Sequence, residues 1–150
     1  MTALRVLLVD DESSVLESLA FMLELEGLKI AGTASDLAGA IELASAVEAD
    51  VGILDINLGR DLVYPAADVL VSRDIPILFT SGRLRILPPR FSSTTFIGKP
   101  YLPEILVGHI ERLTSQAREM RLACGWSSEE SAAGQLTGLA NSAMSERAER

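Results

Sequence analysis

Two kinds of segment alternate along this sequence: short apolar runs, and segments that carry apolar residues at helical spacing. Most of the apolar runs end at Gly, Ser or an acidic residue. The apolar runs predict five strands, at residues 4–9, 28–34, 50–54, 75–80 and 95–97. Helical spacing predicts helices after the first, second, third and fifth strands. Because strands that alternate with helices form a parallel sheet with right-handed crossovers, we expect an α/β fold.

One interval breaks this alternation. Between Gly82 and Thr94 lies the stretch Leu87-Pro88-Pro89-Arg90, and two adjacent prolines are incompatible with a long helix. We therefore predict a shortened or irregular fourth helix, as a loop or a single turn.

Polar residues near the predicted helix starts are candidate caps. Ser14 and Glu17 have the spacing of a capping box at the first helix. Ser35 or Asp36 is expected to cap the second helix, and Asp61 the third.

Length and composition indicate one domain with a tail. Residues 1–120 are expected to form the domain, because a chain of 150 residues can bury one normal core. Residues 121–150 are rich in Ser, Ala, Glu and Gly, so we expect a tail that is partly helical or disordered. Such a tail is too short and too weakly patterned for a DNA-binding module, which favours a stand-alone domain.

Charge and cysteine content restrict the partners and the compartment. The net charge of −8 and a pI of about 4.6 argue against direct nucleic-acid binding. No apolar run approaches the ~18 residues that span a bilayer, so membrane insertion is not expected. The single cysteine, Cys124, fits a reducing cytoplasm.

Reactive side chains fall at the carboxyl ends of four predicted strands: Asp10 with Asp11, then Asp55, Ser81 and Lys99. In a parallel sheet these ends meet at one edge, where ligands bind. Three carboxylates this close repel one another unless a cation holds them, and oxygen-only ligands suit Mg²⁺. Lys99 and Ser81 could each contact an oxygen of a phosphoryl group, which would leave Asp55 as the nucleophile.

Four motifs in this order resemble the receiver domains of bacterial two-component response regulators. The motifs are Leu8-Val9-Asp10-Asp11-Glu12, Leu54-Asp55-Ile56-Asn57, Ser81-Gly82 and Lys99-Pro100. The resemblance covers residues 4 to about 115. The stretch Pro76-Ile77-Leu78-Phe79-Thr80-Ser81-Gly82, followed by Leu87-Pro88, is similar to an alphaproteobacterial single-domain subgroup.

The resemblance implies a flavodoxin-like (CheY-like) doubly wound sheet of five parallel strands in the order 2-1-3-4-5. It also implies that Asp55 is phosphorylated by a sensor histidine kinase or a phosphotransfer protein, and that the signal passes to a downstream protein still to be identified. The implied Mg²⁺ ligands are Asp11 and Asp55 directly, Asp10 through water, and the backbone carbonyl of Asn57.

Switching and tuning positions follow from the same resemblance. Ser81 corresponds to the switch hydroxyl, and the Asn57 side chain and Arg83 lie where the family tunes dephosphorylation by water. Phe96 matches the aromatic switch position, although a phenylalanine in a short apolar strand is equally well explained as core.

Two other functions remain open at this point. The first is a Mg²⁺-dependent phosphohydrolase with an Asp nucleophile; such enzymes usually place a second Asp where this chain has Asn57, which cannot protonate a leaving group. The second is a receiver-like binding module that works without phosphate. The leading hypothesis is a phosphoacceptor that is not an enzyme beyond slow self-dephosphorylation.

Overall fold

The computed structural model describes residues 3–83 and 86–123. Its elements, in chain order, are β1 (Arg5–Val9), α1 (Ser13–Leu25), β2 (Lys29–Ala34), α2 (Leu37–Ala46), β3 (Val51–Asp55), β4 (Asn57–Leu58), β5 (Asp61–Leu62), α3 (Tyr64–Ser72), β6 (Ile77–Ser81), a 3-10 turn (Pro89–Phe91), β7 (Thr95–Gly98) and α4 (Pro103–Ala123).

Five of these strands form one parallel sheet in the order β2-β1-β3-β6-β7. Numbered among themselves, the strands are in the order 2-1-3-4-5, so the predicted doubly wound topology is confirmed. The central strand β3 is buried along its whole length, as is typical of a parallel strand covered on both faces.

Two apolar clusters cover the two faces of the sheet. Along β1, Val6 and Leu8 belong to the cluster that includes α1 and α4, whereas Leu7 and Val9 belong to the cluster of α2 and α3. This separation follows from the period of two in a strand, which sends successive side chains to opposite faces. Both faces of the sheet are therefore covered by packed helices.

The helix starts agree only in part with the sequence predictions. Asp36 caps α2 as expected, because its Oδ1 accepts a hydrogen bond of 2.7 Å from the Gly39 amide. The capping-box prediction for α1 is wrong: the cap position is Glu12, without a side-chain cap, and Ser14 lies inside the helix. The prediction for α3 is also wrong, since its cap position is Val63.

Asp61 does not cap α3 because it belongs to a hairpin that the sequence analysis missed. Strands β4 and β5 pair antiparallel, with Asn57 opposite Leu62 and Leu58 opposite Asp61. Gly59 occupies the first central position of the turn at a φ of +63°, where glycine avoids the strain that a Cβ would cause. The hairpin follows directly on the end of β3.

In the described part of the connection from β6 to β7, residues 82–83 and 86–94, the helical structure is a single 3-10 turn, which confirms the predicted shortened fourth helix. Phe91 is buried in this turn and stacks on Tyr64 of α3 at 5.5 Å between ring centroids. It also meets Phe79 of β6 edge-on at 5.2 Å. Arg90 lies over the Phe91 ring and donates two hydrogen bonds to Asp68 of α3, at 2.8 and 3.1 Å. The turn is thereby attached to α3.

The chain divides into two units, with the boundary after Thr114. The first contains the whole sheet and every candidate site residue. The predicted boundary between residues 120 and 121 stays a prediction, and most of the predicted tail lies outside the described residues. Within residues 3–83 and 86–123, no helix is both long enough and apolar enough to cross a bilayer.

Candidate functional site

The candidate site lies at the carboxyl edge of the sheet. Asp10 directly follows β1, Asp55 is the last residue of β3, Ser81 is the last residue of β6, and Lys99 directly follows β7. Because β1, β3, β6 and β7 are consecutive in the sheet, their ends bring these four side chains to one edge.

Lys99 joins two of the carboxylates. Its Nζ donates hydrogen bonds to Asp10 Oδ2 at 2.7 Å and to Asp55 Oδ2 at 3.2 Å. Asp10 is 4% exposed and Asp55 6%, so both charges are largely withdrawn from water. A buried carboxylate needs a partner of opposite charge, and here one ammonium serves two of them.

Asp11 completes an acidic cluster. Carboxylate oxygens of Asp10, Asp11 and Asp55 all lie within 4.8 Å of one another. Backbone amides orient two of the groups, since Glu12 donates to Asp10 Oδ1 at 3.0 Å and Gly59 donates to Asp11 Oδ2 at 3.1 Å. Three carboxylates and one lysine leave an excess of negative charge, and an all-oxygen donor set of this kind fits a hard divalent cation such as Mg²⁺.

Burial and neighbouring charges shift the pKa values of the central pair. Burial raises the pKa of Asp55; the attraction of Lys99 opposes this effect and the repulsion of Asp10 adds to it. Burial by itself would lower the pKa of Lys99, but the hydrogen bond to Asp10 and the charge of Asp55 outweigh it, so the pKa is raised. Lys99 therefore remains a cation.

Ser81 is 1% exposed, and its hydroxyl is held in place by two donors. The Oγ atom accepts a hydrogen bond from Asn57 Nδ2 at 3.4 Å and another from the backbone amide of Arg83 at 3.2 Å. The Arg83 side chain is exposed. The hydroxyl proton of Ser81 can still be donated to an incoming oxygen.

Phe96 is half-buried in β7, where it pairs with Phe79 and packs against the core on the α2 and α3 face. This position suits a core side chain, and its role as a switch stays a prediction. The structure therefore brings together the predicted acids, Lys99, Ser81 and Asn57, and places Phe96 in the adjoining strand.

Sequence reasoning missed two residues close to the acidic cluster. The first is Gly59, whose amide contacts Asp11. The sequence does carry a signal for it, because Gly59-Arg60 between Asn57-Leu58 and Asp61-Leu62 is a two-residue turn with glycine first, which is typical of a hairpin. The second is Tyr101, whose pKa is raised by burial and further by the nearby Asp10 and Asp55, against the opposing effect of Lys99. A tyrosine after a Lys-Pro pair carries no such signal in the sequence.

The sequence model of the response regulator receiver domain matches residues 6–84 of this chain. The chain belongs to this family. A curated relative, the transcriptional regulatory protein PdtaR of Mycobacterium tuberculosis, is 33% identical over 121 residues, a match that covers 77% of this chain and 59% of PdtaR. This receiver thus spans little more than half the length of that relative.

Solved structures agree with the assignment. SdrG from Sphingomonas melonis Fr1 is 29% identical and superimposes with a TM-score of 0.66, over 75% of this chain and 98% of SdrG. The receiver domain of the sensor histidine kinase PA1611 from Pseudomonas aeruginosa shares the fold, with 18% identity and a TM-score of 0.65 over 76% of this chain and 99% of that one. The PA1611 domain has a magnesium ion coordinated in its active-site cleft.

Proposed function

We propose that Asp55 accepts a phosphoryl group from a sensor histidine kinase or a phosphotransfer protein, in a Mg²⁺-dependent reaction in the cytoplasm, and that partner proteins respond to the phosphorylated form. The observation that carries the proposal is the position of Lys99 Nζ, at 2.7 Å from Asp10 and 3.2 Å from Asp55, beside a third carboxylate. Such an arrangement neutralises the charge that an incoming phosphoryl group brings to a carboxylate nucleophile.

In the proposed transfer, an oxygen of Asp55 forms a bond to phosphorus while the P–N bond of the donor's phosphohistidine breaks. The imidazole nitrogen keeps the electron pair and takes up a proton. Lys99 is already hydrogen-bonded to Asp55 Oδ2, so its ammonium can bind a phosphoryl oxygen as the new bond forms. The Ser81 hydroxyl, at the end of the neighbouring strand β6, can donate to a second oxygen.

Asp10, Asp11, Asp55 and the backbone carbonyl of Asn57 would hold Mg²⁺, with Asp10 acting through a bound water. When bound, the cation supplies charge neutralisation for the phosphoryl oxygens and for the acidic cluster. The close approach of the three carboxylates, within 4.8 Å, is the feature of this chain that supports such a site.

Phosphorylation is proposed to act as a switch. Movement of the Ser81 hydroxyl towards the phosphoryl group would break its contacts with Asn57 and with the Arg83 amide and so shift the following loop. Phe96, which lies beside Phe79 on the next strand, is the candidate to follow that movement, and Arg83 and Asn57 are candidates to tune the lifetime of the phosphate. PdtaR is a transcriptional regulatory protein, but the match covers only 59% of it, so we do not extend that activity to this chain.

The direct test is labelling with acetyl phosphate or phosphoramidate, read by intact-protein mass spectrometry. We expect labelling in Mg²⁺, none in excess chelator, and none for Asp55→Asn. Asp61→Asn is the matched control, because Asp61 is an exposed aspartate six residues further along the chain and should leave labelling unchanged. Labelling of the Asp55→Asn protein would refute the assignment.

The same samples discriminate the two other functions. The Asn57 amide donates to Ser81 and has no acidic proton for a leaving group, which counts against a phosphohydrolase. Steady turnover of a generic phosphate ester would reverse that conclusion. Labelling of Asp55 counts against a phosphate-independent module, and an absence of Mg²⁺ binding by calorimetry would favour one.

A further inference from the structure

Gly59 contributes to the acidic cluster from outside the four strand ends. Its amide donates a hydrogen bond of 3.1 Å to Asp11 Oδ2, which joins residues 48 positions apart in the sequence. Asp11 is the exposed member of the cluster, whereas Asp10 and Asp55 are buried. An exposed carboxylate otherwise samples several rotamers, so a directed donor has more effect on Asp11 than on its buried neighbours.

The hairpin does not need the Gly59 amide for its own pairing. Its strands are closed by the pairs Asn57 with Leu62 and Leu58 with Asp61, and its base by the hydrogen bond from the Val63 amide to the Ile56 carbonyl at 2.9 Å. The Gly59 amide is directed instead at a carboxylate, where a charge-assisted hydrogen bond is stronger than a neutral one.

The backbone conformation at this position favours glycine. Gly59 has a φ of +63°, and a Cβ built on it would meet nothing within 4 Å. The space around the residue is open, so the restriction is the left-handed conformation itself, which side chains other than Asn and Asp adopt at a cost.

We infer that Gly59 is a positioning residue for the cation site: the β4–β5 hairpin presents its amide to Asp11 and fixes that carboxylate in the orientation that binds the metal. The inference rests on the proposed function, because it concerns the same Mg²⁺ site. Donors that orient ligating side chains are a general feature of metal sites, and their loss typically lowers metal affinity about 10–100-fold. Because Asp11 is exposed, we expect the lower end of that range.

The test compares Mg²⁺ affinity, measured by calorimetry on the full chain, among three variants. Gly59→Pro removes the amide proton and excludes the positive φ, and Leu58 before it is already in the extended conformation that proline favours. Gly59→Asn keeps both the proton and the φ. Gly27→Pro is the matched control. Gly27 also has a positive φ (+88°), and its amide donates to the Glu24 carbonyl at the end of α1 rather than to a carboxylate of the cluster.

We expect Mg²⁺ to bind about tenfold more weakly to Gly59→Pro, and with nearly unchanged affinity to Gly59→Asn and to Gly27→Pro. Thermal unfolding verifies that each variant is folded at the temperature of the titration. An affinity of Gly59→Pro within about twofold of the unmodified protein, or an equal loss in Gly59→Asn, would overturn the inference.

A second measurement does not depend on the proline variant or on the metal. The amide proton resonance of Gly59 should shift upfield in Asp11→Asn, because a charge-assisted hydrogen bond is lost, and an unchanged resonance would contradict the contact. If the unmodified protein binds no Mg²⁺ while this shift is observed, the proposed function fails and the hydrogen bond stands. If the protein binds Mg²⁺ and is labelled at Asp55 while Gly59→Pro binds equally well, only the inference fails.

Discussion

Replacing Lys99 by methionine tests whether this one ammonium holds the two buried carboxylates in place. Methionine keeps the length of the aliphatic stem and removes the charge. The ammonium lies 2.7 Å from Asp10 and 3.2 Å from Asp55, and the two carboxylates are 4% and 6% exposed. At an effective dielectric constant of about 20, each contact corresponds to about 5–6 kcal/mol of Coulomb attraction, most of which is offset by the desolvation of the charges.

Removal of one partner from a buried ion pair costs about 3–5 kcal/mol, because the other charge is left without compensation. The Lys99 side chain is 24% exposed, so water can replace part of its effect. We therefore expect Lys99→Met to lower the free energy of unfolding by about 3 kcal/mol near neutral pH in the presence of a chelator.

The effect should depend on pH with a definite sign. Lys99 currently opposes the rise in the pKa of Asp55, so this pKa is higher still in the variant. A carboxylate with a raised folded pKa loses stability as the pH rises through that value. The difference between the two proteins should therefore be largest at neutral pH and should shrink on acidification, as Asp55 takes up a proton.

Urea unfolding followed by circular dichroism, in chelator at about pH 7 and about pH 5, measures the loss in the free energy of unfolding and its dependence on pH. Lys29→Met is the matched control, because Lys29 is the other lysine of the chain and is exposed on β2, so its replacement should change stability by less than about 0.5 kcal/mol. If Lys99→Met loses less than about 1 kcal/mol at neutral pH, or if its loss grows on acidification, water rather than Lys99 compensates the two carboxylate charges, and the reasoning is wrong.

Three further predictions concern the site and its support. Burial raises the pKa of Asp55 above 3.8, whereas asparagine does not titrate. In chelator, Asp55→Asn should therefore become more stable relative to the unmodified protein as the pH rises above 3.8. Urea titrations across this range measure the difference in stability, and a difference that does not change with pH would refute the reasoning. Phe91→Ala should cost about 3–5 kcal/mol in urea unfolding, since the ring is 2% exposed, whereas Phe21→Ala, at an exposed ring, should cost far less. Asp36→Ala should cost about 1 kcal/mol through the lost cap of α2, measured as a lower Tm, and an unchanged Tm would contradict that role.

The parts of the fold that depend on pattern could be predicted from the sequence. Apolar runs located the strands because β1 and β3 are buried on both faces, and an acid directly after a buried strand located Asp10 and Asp55 at one edge. The double proline at Pro88 and Pro89 predicted the shortened connection for a steric reason that holds in any context.

The parts that depend on local competition could not be predicted. Asp61 has the chemistry of a helix cap, but pairing with Leu58 in the hairpin places it before the start of α3. Ser14 has the spacing of a capping box, yet the cap position of α1 lies two residues earlier, at Glu12. In both cases the residue type allows two local structures, and hydrogen bonds with residues a few positions away decide between them.

The attachment of the 3-10 turn to α3 has a consequence for how this receiver can report its state. The turn follows β6, the strand that ends in Ser81, and it rests on α3 through the stacked Tyr64 and the ion pair of Arg90 with Asp68. If phosphorylation moves the 3-10 turn, as the proposed switch implies, that movement would either carry α3 along or break these contacts. A partner that recognises the proposed phosphorylated form would then read helix and turn together, as a single composite epitope.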